Sequence, residues 1–78
     1  MMNVQRPLDA LNAAKGKRVF VELKNGRSYV GELQAFDIHI NLVLDNTEEQ
    51  NEGEKTRRLG RVLIRGDNVL IVSPEVGA

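Results

Sequence analysis

The sequence predicts a mostly β protein in which a short N-terminal helix precedes a small, strongly bent antiparallel sheet or partly open barrel of five strands. Three observations predict this fold class: a helix-like segment near the start, an Asn-Gly pair between two strand-like runs, and hairpin-like connections in the second half. With 78 residues, the chain has room for one domain. Because so small a domain buries only ~60% of the surface of its unfolded chain, its own core is marginally stable.

The composition limits how such a domain can be stabilised. The sequence has no cysteine and one histidine, which excludes disulfides and cysteine-rich zinc sites, so no metal or cofactor is expected. Oligomerisation is the device that remains for a small scaffold. No apolar stretch approaches the ~20 residues of a membrane span and no signal peptide is visible, so we expect a cytoplasmic protein without a membrane partner.

Positive and negative charges balance in this sequence. Lys and Arg total 11, and Asp and Glu also total 11. Proteins that hold nucleic acid mainly through phosphates usually carry a basic surplus. Any nucleic acid would therefore be bound at a localised site or through its bases.

The first predicted element is a helix at about residues 6–15. Pro7 suits the first helical position, and Gly16 suits the position just beyond the helix end. Asp9 in the first turn and Lys15 in the last turn match the helix dipole. The apolar stripe that would lie on the sheet consists of Val4, Leu8 and Leu11.

The next two elements are predicted to form a hairpin. Asn25-Gly26 is a strong signal for a tight turn, because both residues tolerate positive φ. The returning strand covers residues 27–36, with Gly31 near its middle, where a glycine often marks a sharp bend. In the strand before the turn, the alternating apolar residues are Val19, Val21 and Leu23.

Residues 36–46 are interpreted as a strand with an unusual polar face. Asp37, His39 and Asn41 alternate with apolar residues, so one face would carry a carboxylate, an imidazole and a carboxamide together. The apolar residues that would hold this strand on the sheet are Ile38, Ile40 and Leu42.

Two short apolar strands end the chain. A charged loop is predicted at about residues 47–58, mobile at its tip around Asn51 and Gly53. The strands, at residues 59–65 and 68–73, are apolar on both faces and would form exposed edges unless another chain covers them. Two different edges on each subunit predict head-to-tail contacts that close into a ring.

The polar trio and the segment "RGDN" at residues 65–68 could meet in a curled sheet. Arg65 is a planar cation that stacks on flat rings, and Asn41 carries a donor and an acceptor side by side. Together with the imidazole of His39, these groups would hold a splayed base of single-stranded RNA. Asp37 and Asp67 would then orient Asn41 or Arg65.

Plainer interpretations remain open at this point. His39 is compatible with an ordinary surface residue, and Asp37 and Asn41 with turn residues. The segment "RGDN" is also compatible with a simple hairpin turn. No serine has the sequence context of a nucleophile and no phosphate-binding glycine motif is present, so an enzyme is not expected.

The segment "GKRVFVELKNGRSYVGELQAFDIHINLVLDNTEE" resembles the first Sm motif, and "LGRVLIRGDNVLIVSP" resembles the second. The chain is thus similar to the Sm-like (Lsm) proteins, most closely to archaeal ones. The resemblance implies one Sm domain over residues 1–78, an SH3-like open barrel. Its first motif lies at about residues 16–49, its variable loop at about 47–58 and its second motif at about 59–74.

The resemblance further implies a homo-oligomeric ring, most often a heptamer, in which the fourth strand of one subunit pairs with the fifth of the next. Such rings bind uridine-rich single-stranded RNA at the inner rim of the pore. By this likeness His39 and Arg65 would sandwich the uracil and Asn41 would read its edge. Asp37 and Asp67 would support these groups, while Gly66 would let the backbone approach the base.

The implied function is that of a scaffold or chaperone in RNA processing, with protein partners in that process. The alternative is a ring-shaped protein-interaction scaffold that binds its partner through the charged loop, RNA binding being incidental. Arg6 is a candidate for a second RNA contact on the helix face. One departure from the family is Ile40, where Met is common.

Overall fold

The computed structural model describes residues 6–50 and 57–74, and it confirms the predicted order of one helix followed by five strands. The elements are α1 (Pro7–Ala14), β1 (Arg18–Leu23), β2 (Ser28–Phe36), β3 (Leu42–Gln50), β4 (Arg57–Ile64), a 3₁₀ helix (Gly66–Asn68) and β5 (Val69–Pro74). Among these described residues, no helix is both long and apolar enough to cross a bilayer.

The helix ends largely as its sequence predicts. Pro7 is its first residue, Asp9 lies in the first turn, and Gly16 follows the helix with a φ of +84°. Lys15 is the residue after the last turn rather than part of it, and its N–H donates to the Asn12 carbonyl. Val4, the first residue of the predicted apolar stripe, lies outside the described residues, whereas Leu11 packs against the core.

The five strands form one antiparallel sheet in the order β4-β3-β2-β1-β5, so β4 and β5 are its edges. The pairing of β2 with β3 is interrupted at Gly31, where the sequence predicts a bend. A Cβ at Gly31 would lie 2.8 Å from Thr47 Oγ1 and 3.0 Å from the Asp45 carbonyl oxygen. Glycine therefore allows β3 to cross close to β2 at the bend.

The core is built from buried side chains of β1, β2, β3 and β4. Alternation in β1 buries every second residue, which explains why three of its six residues belong to the core. The core cluster comprises Val19, Val21, Leu23, Leu33, Leu42, Leu44 and Ile64. Leu63, Leu70 and Ile71 remain exposed on the two edge strands, as expected for edges that a single chain does not cover.

The predicted strand over residues 36–46 is wrong in its first half. β2 ends at Phe36, residues 37–41 form a turn, and β3 begins at Leu42. The reason is that the Asp37 carboxylate accepts hydrogen bonds from backbone N–H groups within the turn, which competes with strand pairing. Ile38 consequently does not hold a strand on the sheet but is 73% exposed.

The predicted charged loop is also shorter than residues 47–58. Residues 47–50 belong to β3, where Thr47 and Glu49 are buried, and residues 57 and 58 belong to β4. The strand continues because these residues form backbone pairs with both neighbouring strands. Residues 48–50 pair with β2 and residues 47–49 pair with β4. The predicted tip at Asn51 and Gly53 lies outside the described residues.

We expect the Gly31→Ala variant to be destabilised by about 1–3 kcal/mol, because its Cβ would overpack a site closed by Thr47 and the β3 backbone. Urea unfolding at one fixed protein concentration measures this change. The matched control is Ala35→Ser, at an exposed position of the same strand, which should stay within about 0.5 kcal/mol of the parent. A Gly31→Ala variant as stable as this control would contradict the account of the bend.

Candidate nucleic-acid interface

Two turns that are far apart in sequence lie against each other in the structure. The Asp37 turn (residues 37–41) connects β2 to β3, and the Gly66 turn (residues 65–68) connects β4 to β5. The Gly66 N–H donates to Asn41 Oδ1 at 2.7 Å. This hydrogen bond joins the two segments that sequence analysis placed in one site.

The contact between the turns explains why residue 66 is glycine. A Cβ there would overlap the His39 carbonyl oxygen and would lie 2.8 Å from the carbonyl carbons of His39 and Ile40. The close approach that Gly66 permits is thus to the protein backbone of the Asp37 turn. Its predicted approach to a base stays a prediction.

The Asp37 carboxylate organises its own turn. Its Oδ1 accepts the backbone N–H of His39 at 2.8 Å and that of Asn41 at 3.2 Å, and its Oδ2 accepts Asn41 Nδ2 at 3.0 Å. Ile40 adopts a φ of +62° in this turn, a conformation that a β-branched residue rarely takes. Asp37 and Asn41 are therefore turn residues, as the plainer interpretation held, and they also build the candidate site.

These contacts fix the orientation of the Asn41 amide. Its oxygen must face the Gly66 N–H, and its nitrogen must face the Asp37 carboxylate, so the two ends cannot be exchanged. A carboxamide has two N–H donors and an oxygen with two lone pairs. One N–H and one lone pair therefore remain available to a ligand.

A shallow depression opens beside the Asn41 amide. Its volume is about 450 Å³, and its lining residues are His39, Asn41, Arg65, Gly66 and Asp67. Asp37 is not a lining residue but accepts a hydrogen bond from Asn41, which is one. All six residues predicted for the site are thus in or next to one place, although their roles toward RNA stay predictions.

Arg65 and His39 are the planar groups of this depression. Both side chains are exposed, and the Arg65 guanidinium lies 3.4 Å from the Asp67 carboxylate. An ion pair between such exposed groups contributes little to stability. Asp67 can therefore orient the Arg65 guanidinium while leaving it able to contact a ligand. In residues 6–50 and 57–74, no cluster of three His, Cys, Asp or Glu side chains could hold a metal ion.

Comparison with known proteins identifies this combination of sheet and turns. Residues 9–74 match the LSM domain. The chain belongs to the LSM domain family. An Sm-like protein of Methanosarcina barkeri is 58% identical over 69 residues, which cover 88% of this chain and 96% of the relative. The resemblance to archaeal Sm-like proteins is therefore confirmed.

Solved structures of Sm proteins share the fold. The Pyrococcus abyssi Sm protein in complex with a uridine heptamer has a TM-score of 0.86 and 45% identity, covering 91% of this chain and 100% of that chain. The P. aerophilum SmAP1 heptamer has a TM-score of 0.88 and 35% identity, covering 96% and 100% of the two chains. The family match spans both turns of the candidate site.

We expect the Asp37 turn to weaken in acid. The hydrogen bond from Asn41 Nδ2, aided by the backbone N–H groups of His39 and Asn41, lowers the pKa of Asp37 below its ordinary value of 3.8. A carboxyl with a lowered folded pKa stabilises the fold above its unfolded pKa, and that stability is lost as the pH falls through the folded value. An NMR titration of the Asp37 carboxyl carbon measures this.

The control for this titration is the Asn41→Ala variant, which removes the largest cause of the shift. The pKa of Asp37 should then rise toward 3.8. A parent protein in which Asp37 titrates at or above that value would contradict the hydrogen-bonded turn.

We expect Gly66→Ala to separate the two turns, at a cost of about 1–3 kcal/mol, because its Cβ would overlap the His39 carbonyl. Denaturant unfolding and the amide resonance of residue 66 report on stability and on the bond to Asn41. Asp67→Ala, at the exposed neighbouring position, is the matched control. Equal stability of the two variants would show that the turns do not depend on this contact.

Proposed function

We propose that this chain is a ring-forming protein that binds uridine-rich single-stranded RNA at the depression lined by His39, Asn41 and Arg65. The observation that carries the proposal is the Asn41 amide, which Asp37 and Gly66 orient while one donor and one acceptor stay available. The proposal is one of binding rather than catalysis. We expect the protein to act as a scaffold or chaperone in RNA processing in the cytoplasm.

The available atoms of Asn41 complement the edge of uracil. Its second N–H can donate to a uracil carbonyl oxygen, while its oxygen accepts the uracil N3–H. Cytosine has no hydrogen at N3, so it cannot pair with the amide in this arrangement. The structure of the Pyrococcus abyssi Sm protein with a uridine heptamer supports uridine as the base.

Stacking would supply the remaining affinity. The imidazole of His39 and the guanidinium of Arg65 are planar groups of the same depression, and both are exposed enough to contact a base. Removing a stacking partner typically costs about 1–3 kcal/mol per base. Recognition by stacking and edge contacts is compatible with a chain of zero net charge.

The ring is proposed from the edges of the sheet. β4 and β5 carry the exposed residues Leu63, Leu70 and Ile71, and pairing of β4 with β5 of a second copy would cover them. A contact between two different edges repeats from subunit to subunit and closes into a ring when the rotation permits. The P. aerophilum SmAP1 heptamer supports seven as the number of subunits. Symmetry would then repeat the depression around the pore, so that one RNA contacts several copies.

We expect the parent protein to bind oligouridylate more tightly than oligoadenylate of equal length. Arg65→Ala should lose about 1–3 kcal/mol per occupied site without unfolding, because its guanidinium is exposed and pairs only with Asp67 among the described residues. Asn41→Ala should reduce the preference for uridine more than it changes assembly. Native mass spectrometry reports ring size, and fluorescence anisotropy reports affinity.

The matched control for Arg65→Ala is Arg58→Ala, another exposed arginine paired with one carboxylate outside the depression. It should bind both oligonucleotides as the parent does. Equal parental affinity for uridine and adenine would refute edge reading by Asn41. A monomeric parent would refute the ring.

A further inference from the structure

The Asp37 turn contains one residue in a conformation that its type rarely adopts. Ile40 has a φ of +62°, in the left-handed region, where a side chain branched at Cβ crowds the backbone. Glycine takes this conformation freely, and asparagine takes it more readily than isoleucine does. Strained residues of this kind persist only where the surrounding structure fixes their conformation, and they concentrate at binding sites. The fold must therefore hold Ile40 in place.

Three contacts hold Ile40 in this conformation. Its side chain is half-buried and packs against the core cluster. Its N–H donates to the Asp37 carbonyl oxygen at 3.0 Å, and its carbonyl carbon would lie 2.8 Å from a Cβ at Gly66. The other isoleucine of the turn, Ile38, is 73% exposed. Ile40 therefore anchors the Asp37 turn to the core.

This anchor lies between two side chains of the candidate site. His39 and Asn41 line the depression, whereas the side chain of Ile40 packs against the core. Because φ and ψ of one residue set the relative direction of its two neighbours, the left-handed conformation of Ile40 fixes how His39 and Asn41 are presented. Rotation of the backbone at residue 40 would move the Asn41 amide away from its partners, Asp37 and Gly66.

We propose that Ile40 is a positioning residue for uridine recognition: its half-buried side chain holds the backbone in the left-handed conformation that orients the Asn41 amide toward the edge of the base. This inference rests on the proposed function. Ile40 does not itself line the depression, so it acts through its neighbours. Because core packing offsets the strain in the free protein, RNA binding does not have to order the turn.

The test compares oligouridylate with oligocytidylate of equal length. Ile40→Gly keeps the left-handed conformation accessible but removes the anchor, so the turn samples other conformations. We expect the affinity ratio of uridine over cytidine to fall about 5-fold per occupied site, the net contribution of roughly one hydrogen bond. Ile40→Met retains an apolar, unbranched anchor and should keep the parental ratio. Fluorescence anisotropy measures both affinities, and native mass spectrometry verifies that each variant is assembled.

The matched control is Ile38→Gly, the same substitution in the same turn at an exposed side chain. It should keep the parental ratio, because no contact with the core is lost. A merely structural role of Ile40 would lower the stability of Ile40→Gly but leave the ratio of the assembled ring unchanged. If Ile40→Gly does not assemble, Ile40→Ala, which keeps a Cβ, is measured with the same expectation.

Two further measurements show whether Ile40 acts through Asn41. In Ile40→Gly the pKa of Asp37 should rise toward 3.8, because the hydrogen bond from Asn41 Nδ2 that lowers this pKa is loosened. In a double-mutant cycle, Ile40→Gly should change the ratio little once residue 41 is alanine, since the amide that Ile40 positions is gone. Additive losses in the two single variants would overturn positioning of Asn41 by Ile40.

The contrary results separate this inference from the proposed function. A parent without a preference for oligouridylate refutes edge reading by Asn41, and both proposals with it. A parent with that preference and an assembled Ile40→Gly ring with the same preference overturn the role of Ile40 alone. An equal loss in Ile38→Gly would show that any glycine loosens the turn, and it would overturn the anchor as well.

Discussion

The backbone at Gly66 lies so close to the His39–Ile40 peptide that no side chain fits at this position. This contact brings the Gly66 turn within hydrogen-bonding distance of the Asn41 amide, and the amide in turn is held by Asp37. The depression beside Asn41 exists because both turns are fixed at this point. Its groups are therefore oriented before any ligand arrives, which lowers the entropic cost of binding.

The bend of the sheet has consequences beyond the core. Gly31 lets β3 cross close to β2, and the curled sheet encloses a small core without joining its two edges. The edge strands keep unpaired backbone groups and exposed apolar side chains. In so small a domain, the edge surfaces that a monomer would expose are the surfaces through which subunits can pair. The bend that forms the core therefore also leaves the edges available for assembly.

The net charge of the chain is zero, but its charged side chains are not evenly paired. Two of the three arginines of β4, Arg58 and Arg61, each pair with one carboxylate of β3, and Arg61 does so through two hydrogen bonds to Asp45 of 2.6 and 2.9 Å. Glu49 departs from this pairing, because its buried carboxylate is shared by Arg27 and Arg57.

Local signals explain what could be predicted. Pro7 and Gly16 mark the helix, Asn25-Gly26 marks the hairpin, and glycine at residue 31 marks the bend, because each acts within a few residues of backbone. The turn at residues 37–41 was missed because polar and apolar residues alternate there as they do in a strand. The Asp37 carboxylate favours a turn over a strand here, because it accepts hydrogen bonds from backbone N–H groups of that turn.

The sequence by itself determined the order of helix and strands, the balance of charge and the six residues from which the candidate site is built. Tertiary structure alone decided that Gly66 packs on the Asp37 turn and that Arg27, Tyr29 and Arg57 converge on Glu49. These contacts join residues of different strands and turns and depend on register and bending. No periodicity within one strand records the register of its neighbours, and for that reason the folded sheet was needed to find them.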